Sequence, residues 1–195
     1  MPRPTVDTNA MRARMVDTAE QLLRQSRGRR LVLSDIAAEL GMSQSNAHRY
    51  FPTKHDLVAA LAERWFAVVA KAARKAVQGE ESPRERVISW VLAIMRVKCA
   101  RFDEDPELFR AYLALASQHV AIAKQHADEL RAIVSPAIVQ ITGKTAVIAE
   151  LDLLEDATVQ FRNPYMIAML RERATAARAR AATRAVLDFV ERGGS

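Results

Sequence analysis

The chain has 195 residues, half of them hydrophobic, which is enough for one or two domains with a sizeable core. The chain has only 6 glycines and 7 prolines and is rich in the helix-forming residues Ala, Leu, Arg and Glu, so we predict an all-α fold. The single cysteine excludes an intrachain disulfide, and the longest uncharged apolar run, Val87 to Met95, is far shorter than the ~20 residues of a membrane span. We therefore expect a cytoplasmic protein without a membrane partner, and its net charge of +6 favours a polyanionic partner without identifying one.

Three helices are predicted in the first 53 residues. The first spans about residues 9 to 26, with a cap at Asp7 or Thr8 and a stop at Gly28. The other two are short, and the segment Gly-Met-Ser separates them. Two short helices joined by a tight turn form a helix-turn-helix.

Local signals mark the ends of the two short helices. Ser34 is predicted to cap the first of them, which ends at Gly41. Ser43 is predicted to cap the second, which ends at Phe51 because Pro52 disfavours helical geometry in the residue before it.

The rest of the chain is predicted to be a helical bundle. A fourth helix runs from Thr53 to about Gly79, and breaks at "DEDPE", "VSP", "TGKT" and "FRNP" delimit about five more, giving about nine helices. The chain therefore divides into a helix-turn-helix segment, residues 1–53, and a helical bundle, residues 54–195.

The third helix has one apolar edge and one polar edge. At ~100° per residue, Ala47 and Phe51 fall on one face, and the opposite side presents polar side chains. These polar residues are Ser45, Asn46, His48 and Arg49. A major groove requires such hydrogen-bonding groups, but an ordinary solvated helix face has the same pattern, so the helix alone leaves both interpretations open.

The segment "SDIAAELGMSQSNAHRYFPTKHDLVAAL" resembles the signature of the TetR (tetracycline repressor-like) family of transcriptional regulators. The matching positions are Asp35, Ile36, Ala37, Gly41, Ser43, Tyr50, Phe51, Pro52, Lys54 and Leu57. The resemblance covers residues 9 to 65 strongly, and beyond them only length and helical layout agree. Two positions depart from the family: Ala47 replaces a larger apolar residue, and His48 replaces the usual tyrosine.

The resemblance implies a helix-turn-helix DNA-binding domain in residues 1–53 and a ligand-binding and dimerisation domain in residues 54–195. It also implies a set of DNA contacts. By its pattern, Gln44, Ser45 and His48 approach base edges. The residues that would hold phosphates are Ser34, Ser43, Asn46, Tyr50 and Lys54. The helical wheel adds Arg49, which it places further outward than Gln44.

No catalytic, cofactor or metal site is expected. The "GKT" at 143–145 resembles part of a phosphate-binding loop, but position 138, where that loop requires glycine, is Ile138. His119 and His126 could share a helix face, but no third metal ligand has suitable spacing.

An effector cavity in the C-terminal bundle is implied by the resemblance. Core packing explains each large apolar residue there individually, while together they match the family's apolar cavity. The candidate ligand-binding residues are Trp90, Met95, Cys99, Phe102, Phe109, Tyr112, Phe161, Tyr165, Met166 and Met169.

A homodimer is predicted to form through the last two helices, although packing within one subunit fits the same pattern. The predicted interface stripes are Val147, Ile148, Leu151, Leu154 and Thr158 on the eighth helix, and Ile167, Leu170, Ala174, Ala177 and Ala181 on the ninth. The eighth helix is acidic and the ninth is basic, which favours pairing across a twofold axis. Such a dimer would bind a pseudo-palindromic operator.

The function expected from these observations is a DNA-binding repressor released by a small-molecule effector. The fourth helix would link the two domains, since Lys54 and Leu57 lie at its DNA-binding end and Trp65, Phe66 and Val69 lie further along it. The alternative is a non-catalytic helical interaction protein without a role on DNA.

Overall fold

The computed structural model describes residues 7–26 and 31–193. Within those ranges the chain contains ten α-helices, one 3-10 turn and no strand, which confirms the predicted all-α fold. The helices are α1 Thr8–Gln25, α2 Leu33–Glu39, α3 Gln44–Tyr50, α4 Lys54–Val77, α5 Pro83–Glu104, α6 Pro106–Gln118, α7 Val120–Thr142, α8 Ile148–Arg162, α9 Pro164–Met169 and α10 Ala176–Glu191. The predicted stop of the first helix at Gly28 lies outside the described residues.

The chain divides into two compact units. Unit 1 comprises Met1–Trp65 and Glu107–Ile122, and unit 2 comprises Phe66–Pro106 and Ala123–Ser195. Helix α4 therefore contributes to both units, while α6, apart from its first residue, belongs to unit 1. The functional boundary drawn between positions 53 and 54 stays a prediction.

Unit 1 has one apolar core, to which five helices contribute. Burial of this core stabilises α2 and α3, which are too short to be stable as isolated helices. The buried residues of this core are Met15, Val16, Ala19 and Leu23 of α1, Leu31, Leu33, Ile36 and Ala37 in and before α2, Ala47 and Phe51 in and after α3, Leu57, Val58 and Leu61 of α4, and Ala111, Tyr112 and Leu115 of α6.

The turn between α2 and α3 follows the local signals. Gly41 has φ of 64°, in the left-handed region that favours glycine. Its N–H donates to Ala38 O over 3.1 Å, and the N–H of Met42 donates to Ala37 O over 2.9 Å. Both bonds satisfy carbonyls at the end of α2, as predicted for a glycine stop.

The predicted cap of the second helix is wrong by two residues. Helix α2 begins at Leu33, and its N-cap position is Val32, whose side chain makes no capping bond. Ser34 lies inside the first turn, where its hydroxyl is 3.4 Å from Asp35 Oδ1. Burial of Leu33, which is 6% exposed, favours the earlier start.

Two breaks in the middle of the chain differ from the prediction. The "VSP" segment does not end a helix, because Pro136 lies inside α7. Proline removes one helical N–H, but Val134, Ala137 and Ile138 around it are buried, and their packing offsets that loss. A break instead falls at His119, between α6 and α7, where the sequence has neither glycine nor proline.

The predicted final helix is divided. Leu170 has φ of −130° and ψ of 41°, which ends α9, and a 3-10 turn at Arg171–Arg173 follows. Thr175 then caps α10, its hydroxyl accepting from the N–H of Arg178. This restart at a threonine is the reason for a tenth α-helix.

Unit 2 is built around α5, the most deeply buried of its helices. Trp90, Ile94 and Lys98 lie on one face of α5, two turns from first to last, and each is at least nine-tenths buried. Apolar side chains from α4, α7, α8, α9 and α10 complete this core. No helix in the described ranges is both long enough and apolar enough to cross a membrane.

We expect Gly41→Ala to lower the free energy of unfolding by ~1 kcal/mol, because any side chain at positive φ is strained. A Cβ at Gly41 would meet nothing within 4 Å, so the backbone alone sets the cost. Gly79→Ala is the matched control, since Gly79 has no positive φ and its Cβ would make ordinary contacts at 3.9 Å. Urea denaturation measures both, and equal effects would contradict the strain at Gly41.

Candidate nucleic-acid interface

The outer edge of α3 is polar and solvent-exposed. Ala47 and Phe51, on the inner side, are each 0% exposed, which confirms the buried edge predicted from helical periodicity. The exposed side chains are Gln44, Ser45, His48 and Arg49, and those of Asn46 and Tyr50 are half-buried. Helix α3 therefore presents an amide, a hydroxyl, an imidazole and a guanidinium together.

Ser43 holds the start of α3, as predicted. Its Oγ accepts a hydrogen bond from the N–H of Asn46 over 3.2 Å and lies 3.2 Å from the hydroxyl of Ser45. These contacts fix the first turn, where the polar edge of α3 begins.

Arg12 of α1 holds the end of α3. Its Nη1 donates to the carbonyl oxygen of Tyr50. The guanidinium lies 4.2 Å from the centroid of the Phe51 ring, within the range of a cation–π interaction. Arg12 is not among the predicted site residues. No local pattern could have identified its contact with α3, since 38 residues separate it from Tyr50.

His48 is exposed, but one of its ring nitrogens is already engaged. Nδ1 lies 3.1 Å from the carbonyl oxygen of Pro52, in the turn after α3. This contact orients the imidazole and leaves Nε2 as the nitrogen that can approach another molecule.

Lys54 opens α4 beside a capping box. The N–H of Thr53 donates to Asp56 Oδ2 over 2.9 Å, and the N–H of Asp56 donates to Thr53 Oγ1 over 3.1 Å. The side-chain and backbone hydrogen bonds from Thr53 lower the pKa of Asp56. The pattern Thr-Lys-His-Asp could have identified this cap from the sequence, and it leaves the exposed Lys54 at a fixed helix start.

The end of α6 lies near the start of α4 in unit 1. His119, which follows α6, has its ring centroid 6.2 Å from that of His55 in α4. Burial, followed by the charge of Lys54, lowers the pKa of His119. The region around Lys54 therefore includes a residue distant in sequence.

The ten predicted ligand-binding residues are divided between the two units. Phe109 and Tyr112 belong to unit 1, where they contact Trp65 with ring centroids 5.6 and 4.1 Å away. Met169 is 74% exposed and Tyr165 is 44% exposed, so neither is enclosed. The remaining six belong to unit 2, where Trp90, Met95, Cys99 and Phe161 are buried in the core, Phe102 packs against it and Met166 is half-buried. The ligand-binding role of all ten residues stays a prediction.

The predicted dimer stripes include both buried and exposed residues, and their role as an interface stays a prediction. Six of the ten side chains are buried within unit 2. The buried ones are Val147, Leu151, Leu154, Thr158, Ile167 and Ala174. Ile148, Ala177 and Ala181 are exposed, and Leu170 is half-buried.

The charges that suggested pairing between subunits have partners within one chain. Arg131 of α7 binds Asp152 and Glu155 of α8, with contacts of 2.6 and 2.9 Å. On α10, Arg180 lies 3.1 Å from Glu85 of α5. Part of the charge on α8 is thus paired with α7, and part of the charge on α10 with α5.

Metal binding has no support in the described ranges, 7–26 and 31–193, which contain no cluster of three potential ligands. His126 stacks on Phe66 within unit 2, with ring centroids 4.0 Å apart. His119 lies in unit 1, beside His55.

Two family models match the chain, one over the helix-turn-helix and one over most of the remaining helices. Residues 16–61 match the model of bacterial regulatory proteins of the tetR family, and residues 83–183 match a tetracyclin repressor-like C-terminal domain. No curated protein matches the chain.

Solved structures share the fold. A candidate transcriptional regulator from Pseudomonas aeruginosa PAO1 is similar with a TM-score of 0.75 and 17% identity, covering 97% of this chain and 94% of that one. The TetR family transcriptional regulator PfmR from Thermus thermophilus is similar with a TM-score of 0.50 and 18% identity, covering 91% and 97% respectively.

Together these findings define a helix-turn-helix regulator with a separate helical C-terminal unit. The chain belongs to the tetR family of bacterial regulatory proteins. Its members are non-enzymatic, DNA-binding transcriptional regulators, and this chain is one of them.

We expect Arg12→Ala to lower the free energy of unfolding by about 1 to 2 kcal/mol, because it removes a charged hydrogen bond and a ring contact from the end of α3. DNA binding should weaken as well, since α3 loses its anchor. Urea denaturation and a mobility shift measure the two effects. Arg14→Ala, at an exposed position of α1, is the control, and an unchanged stability of Arg12→Ala would exclude the anchoring role.

Proposed function

We propose that the protein is a cytoplasmic repressor that binds a pseudo-palindromic operator as a homodimer and is released by a small-molecule effector. The main support is the geometry of α3, whose polar edge is exposed while Ala47 and Phe51 are fully buried. A short helix whose inner side is buried in this way can enter a major groove without a change in its own position.

Three exposed side chains of α3 are proposed to read bases. Gln44 supplies an amide, which can pair with adenine through a donor and an acceptor. Ser45 supplies a hydroxyl, and His48 supplies Nε2, since Nδ1 is engaged by Pro52. Arg49 is exposed on the same helix and can contact either a base or the backbone.

The phosphate contacts are proposed to surround this edge. Ser43 caps α3, and its hydroxyl can still donate to a phosphate. Lys54 stands at the start of α4, where its charge and the helix N-terminus both favour an anion. The other proposed contacts are Ser34, Asn46 and Tyr50, all half-buried at the margin of the exposed surface.

Helix α4 is the proposed link between effector and DNA. It is continuous from Lys54 to Val77, and the division between the two units falls between Trp65 and Phe66. A ligand that prefers one position of α4 by ~1.4 kcal/mol would change DNA affinity tenfold. Reciprocity then requires operator DNA to weaken the ligand by the same factor.

The proposed dimer surface uses the outward sides of α8 and α10. These helices pack together in unit 2, and their large exposed apolar side chains include Ile148, Val159 and Phe189, which are 69%, 43% and 48% exposed. The exposed alanines Ala177 and Ala181 on α10 allow close approach of a second helix. A twofold pairing of such surfaces would give two copies of α3 for two half-sites.

Gln44→Ala should weaken binding to a specific duplex by ~1 to 3 kcal/mol and leave binding to a scrambled duplex nearly unchanged, because a base contact carries sequence information. The specific duplex is one selected by the wild-type protein from a random library. A salt-dependent mobility shift on both duplexes measures the difference.

The comparison variant is Lys54→Ala, which should weaken binding to both duplexes and reduce the salt slope by about one unit. Equal losses on both duplexes for Gln44→Ala would exclude base reading by Gln44. An unchanged salt slope for Lys54→Ala would exclude its phosphate contact.

Phe189→Asp should convert the dimer to a monomer, because a carboxylate cannot be buried unpaired in an apolar interface. Light scattering at micromolar concentration without DNA measures the mass. Val68→Asp is the matched control, since Val68 of α4 is 46% exposed, close to the 48% of Phe189. A monomeric wild-type protein, or a dimeric Phe189→Asp, would contradict the proposed interface.

A further inference from the structure

A lysine without a carboxylate partner is buried in unit 2. Lys98 of α5 is 9% exposed, and its Nζ donates to the carbonyl oxygen of Arg162 over 2.6 Å. Within the described ranges no carboxylate lies within ion-pair distance of Lys98. Burial, followed by the charge of Arg162, lowers the pKa of Lys98 to about 7.

Arg162 of α8 adds a second cation to the same core. Its Nε donates to Thr158 Oγ1 over 2.8 Å, and its Nη2 donates to the carbonyl oxygen of Glu155 over 3.2 Å. The nearest carboxylate oxygen of Glu155 is 4.0 Å from Nη1, and the other oxygen binds Arg131 at 2.9 Å. One carboxylate is thus divided between two arginines, and the charge around Lys98 remains positive.

His126 of α7 is buried in the same unit without hydrogen bonds, close enough to Lys98 for the lysine charge to act on the pKa of its ring. It is 8% exposed, and neither ring nitrogen has a hydrogen-bond partner. Glu129 Oε2 is 3.7 Å from Nδ1, too far for a hydrogen bond, so it acts on the ring only through its charge. Burial and then the charge of Lys98 lower the pKa of His126 to about 4, so the ring is neutral at pH 7.

Apolar surfaces adjoin these polar groups. Phe66 stacks on the His126 ring with an angle of 3° between the planes. The guanidinium of Arg162 lies 5.0 Å from the Trp90 ring, and the buried Nε1 of Trp90 also lacks a hydrogen-bond partner. Since Trp90 precedes Lys98 by eight residues on α5, the two side chains start about 12 Å apart along the helix.

A purely structural role explains only part of this arrangement. Lys98 caps a carbonyl at the end of α8, but an ammonium group has three donors and one is used. His126 and Trp90 have further donors unsatisfied, and buried unsatisfied groups destabilise a fold. An anion at Lys98 would neutralise its charge and accept hydrogen bonds from the lysine and the imidazole.

We propose that unit 2 binds an amphipathic anion, with its carboxylate at Lys98 and His126 and its apolar body extending along α5 towards Trp90. The proposal rests on the proposed function, in that this anion would be the effector. The sequence analysis implied only an apolar effector cavity, whereas this proposal adds a charged group to the ligand and names the side chains that would bind it.

The probes are octanoate, benzoate and butanoate, each compared with the corresponding neutral alcohol in calorimetric titrations of the full-length protein. We expect at least one carboxylate to bind, and its alcohol to bind about tenfold more weakly, because a charged hydrogen bond is lost. Lys98→Met should reduce carboxylate affinity by about tenfold while keeping or raising thermal stability, since it removes a buried charge. Lys124→Met, at an exposed position of α7, should change nothing.

Proton uptake gives a readout that a capping role would not change. Lys98 is charged below its pKa of about 7, and an anion that binds the charged form raises this pKa. Binding at pH 7 should therefore take up a fraction of a proton, and affinity should fall as pH rises above 7. Titrations in two buffers of different ionisation enthalpy measure the uptake, which Lys98→Met should abolish.

Three outcomes would overturn the proposal. No carboxylate has a dissociation constant below about 1 mM, each alcohol binds as tightly as its carboxylate, or Lys98→Met binds the carboxylate as tightly as the wild type does. None of these depends on DNA. A mobility shift in the presence of the bound carboxylate tests release separately, so an anion that binds without releasing DNA would contradict the repressor mechanism and leave the anion site intact.

Discussion

A helix of seven residues cannot be stable by its own hydrogen bonds, and the proposed DNA-binding surface on α3 depends on this constraint. Everything that holds α3 in place is external to it. The side chains of Ala47 and Phe51 are fully buried in a core shared with four other helices, and Arg12 binds the carbonyl at its end. The exposed side chains of α3 are therefore not needed for its burial and are available for the proposed recognition of DNA.

The two units use polar groups in opposite ways. In unit 1 the buried contacts are satisfied, as where the Tyr112 hydroxyl donates to Glu20 over 2.6 Å, and the exposed polar edge of α3 faces outward. In unit 2 unsatisfied donors are inside, at Trp90 and His126, in the unit that also contains the buried Lys98. The proposed DNA-binding surface needs accessible polar groups, whereas the proposed anion site needs enclosed ones.

Local signals explain which parts of the structure could be predicted. Gly41 and Ser43 mark the turn between α2 and α3 because the left-handed region favours glycine and because a hydroxyl can cap a helix. The buried edge of α3 followed from periodicity alone. The Arg12 contact, by contrast, joins α1 to a residue distant in sequence, and no pattern within a helix encodes it.

The errors have a common physical origin in tertiary packing. Pro136 did not end α7, because buried neighbours compensate for its missing N–H, while His119 and Leu170 ended helices without any glycine or proline. Periodicity identifies a buried face but not what buries it, and the predicted dimer stripes include six residues that are buried within unit 2. The same limitation applies to Phe109 and Tyr112, which contact Trp65 in unit 1.

The path of the chain limits how this protein could exchange parts with its relatives. The chain passes from one unit to the other three times, after Trp65, Pro106 and Ile122, so unit 1 is not a continuous stretch of sequence. A hybrid gene joined at a single point after α4 would receive the helix-turn-helix of one parent and α6 of the other. Its Trp65 would then pack against an α6 from the other parent. A functional hybrid would therefore need side chains on α6 that still fit Trp65.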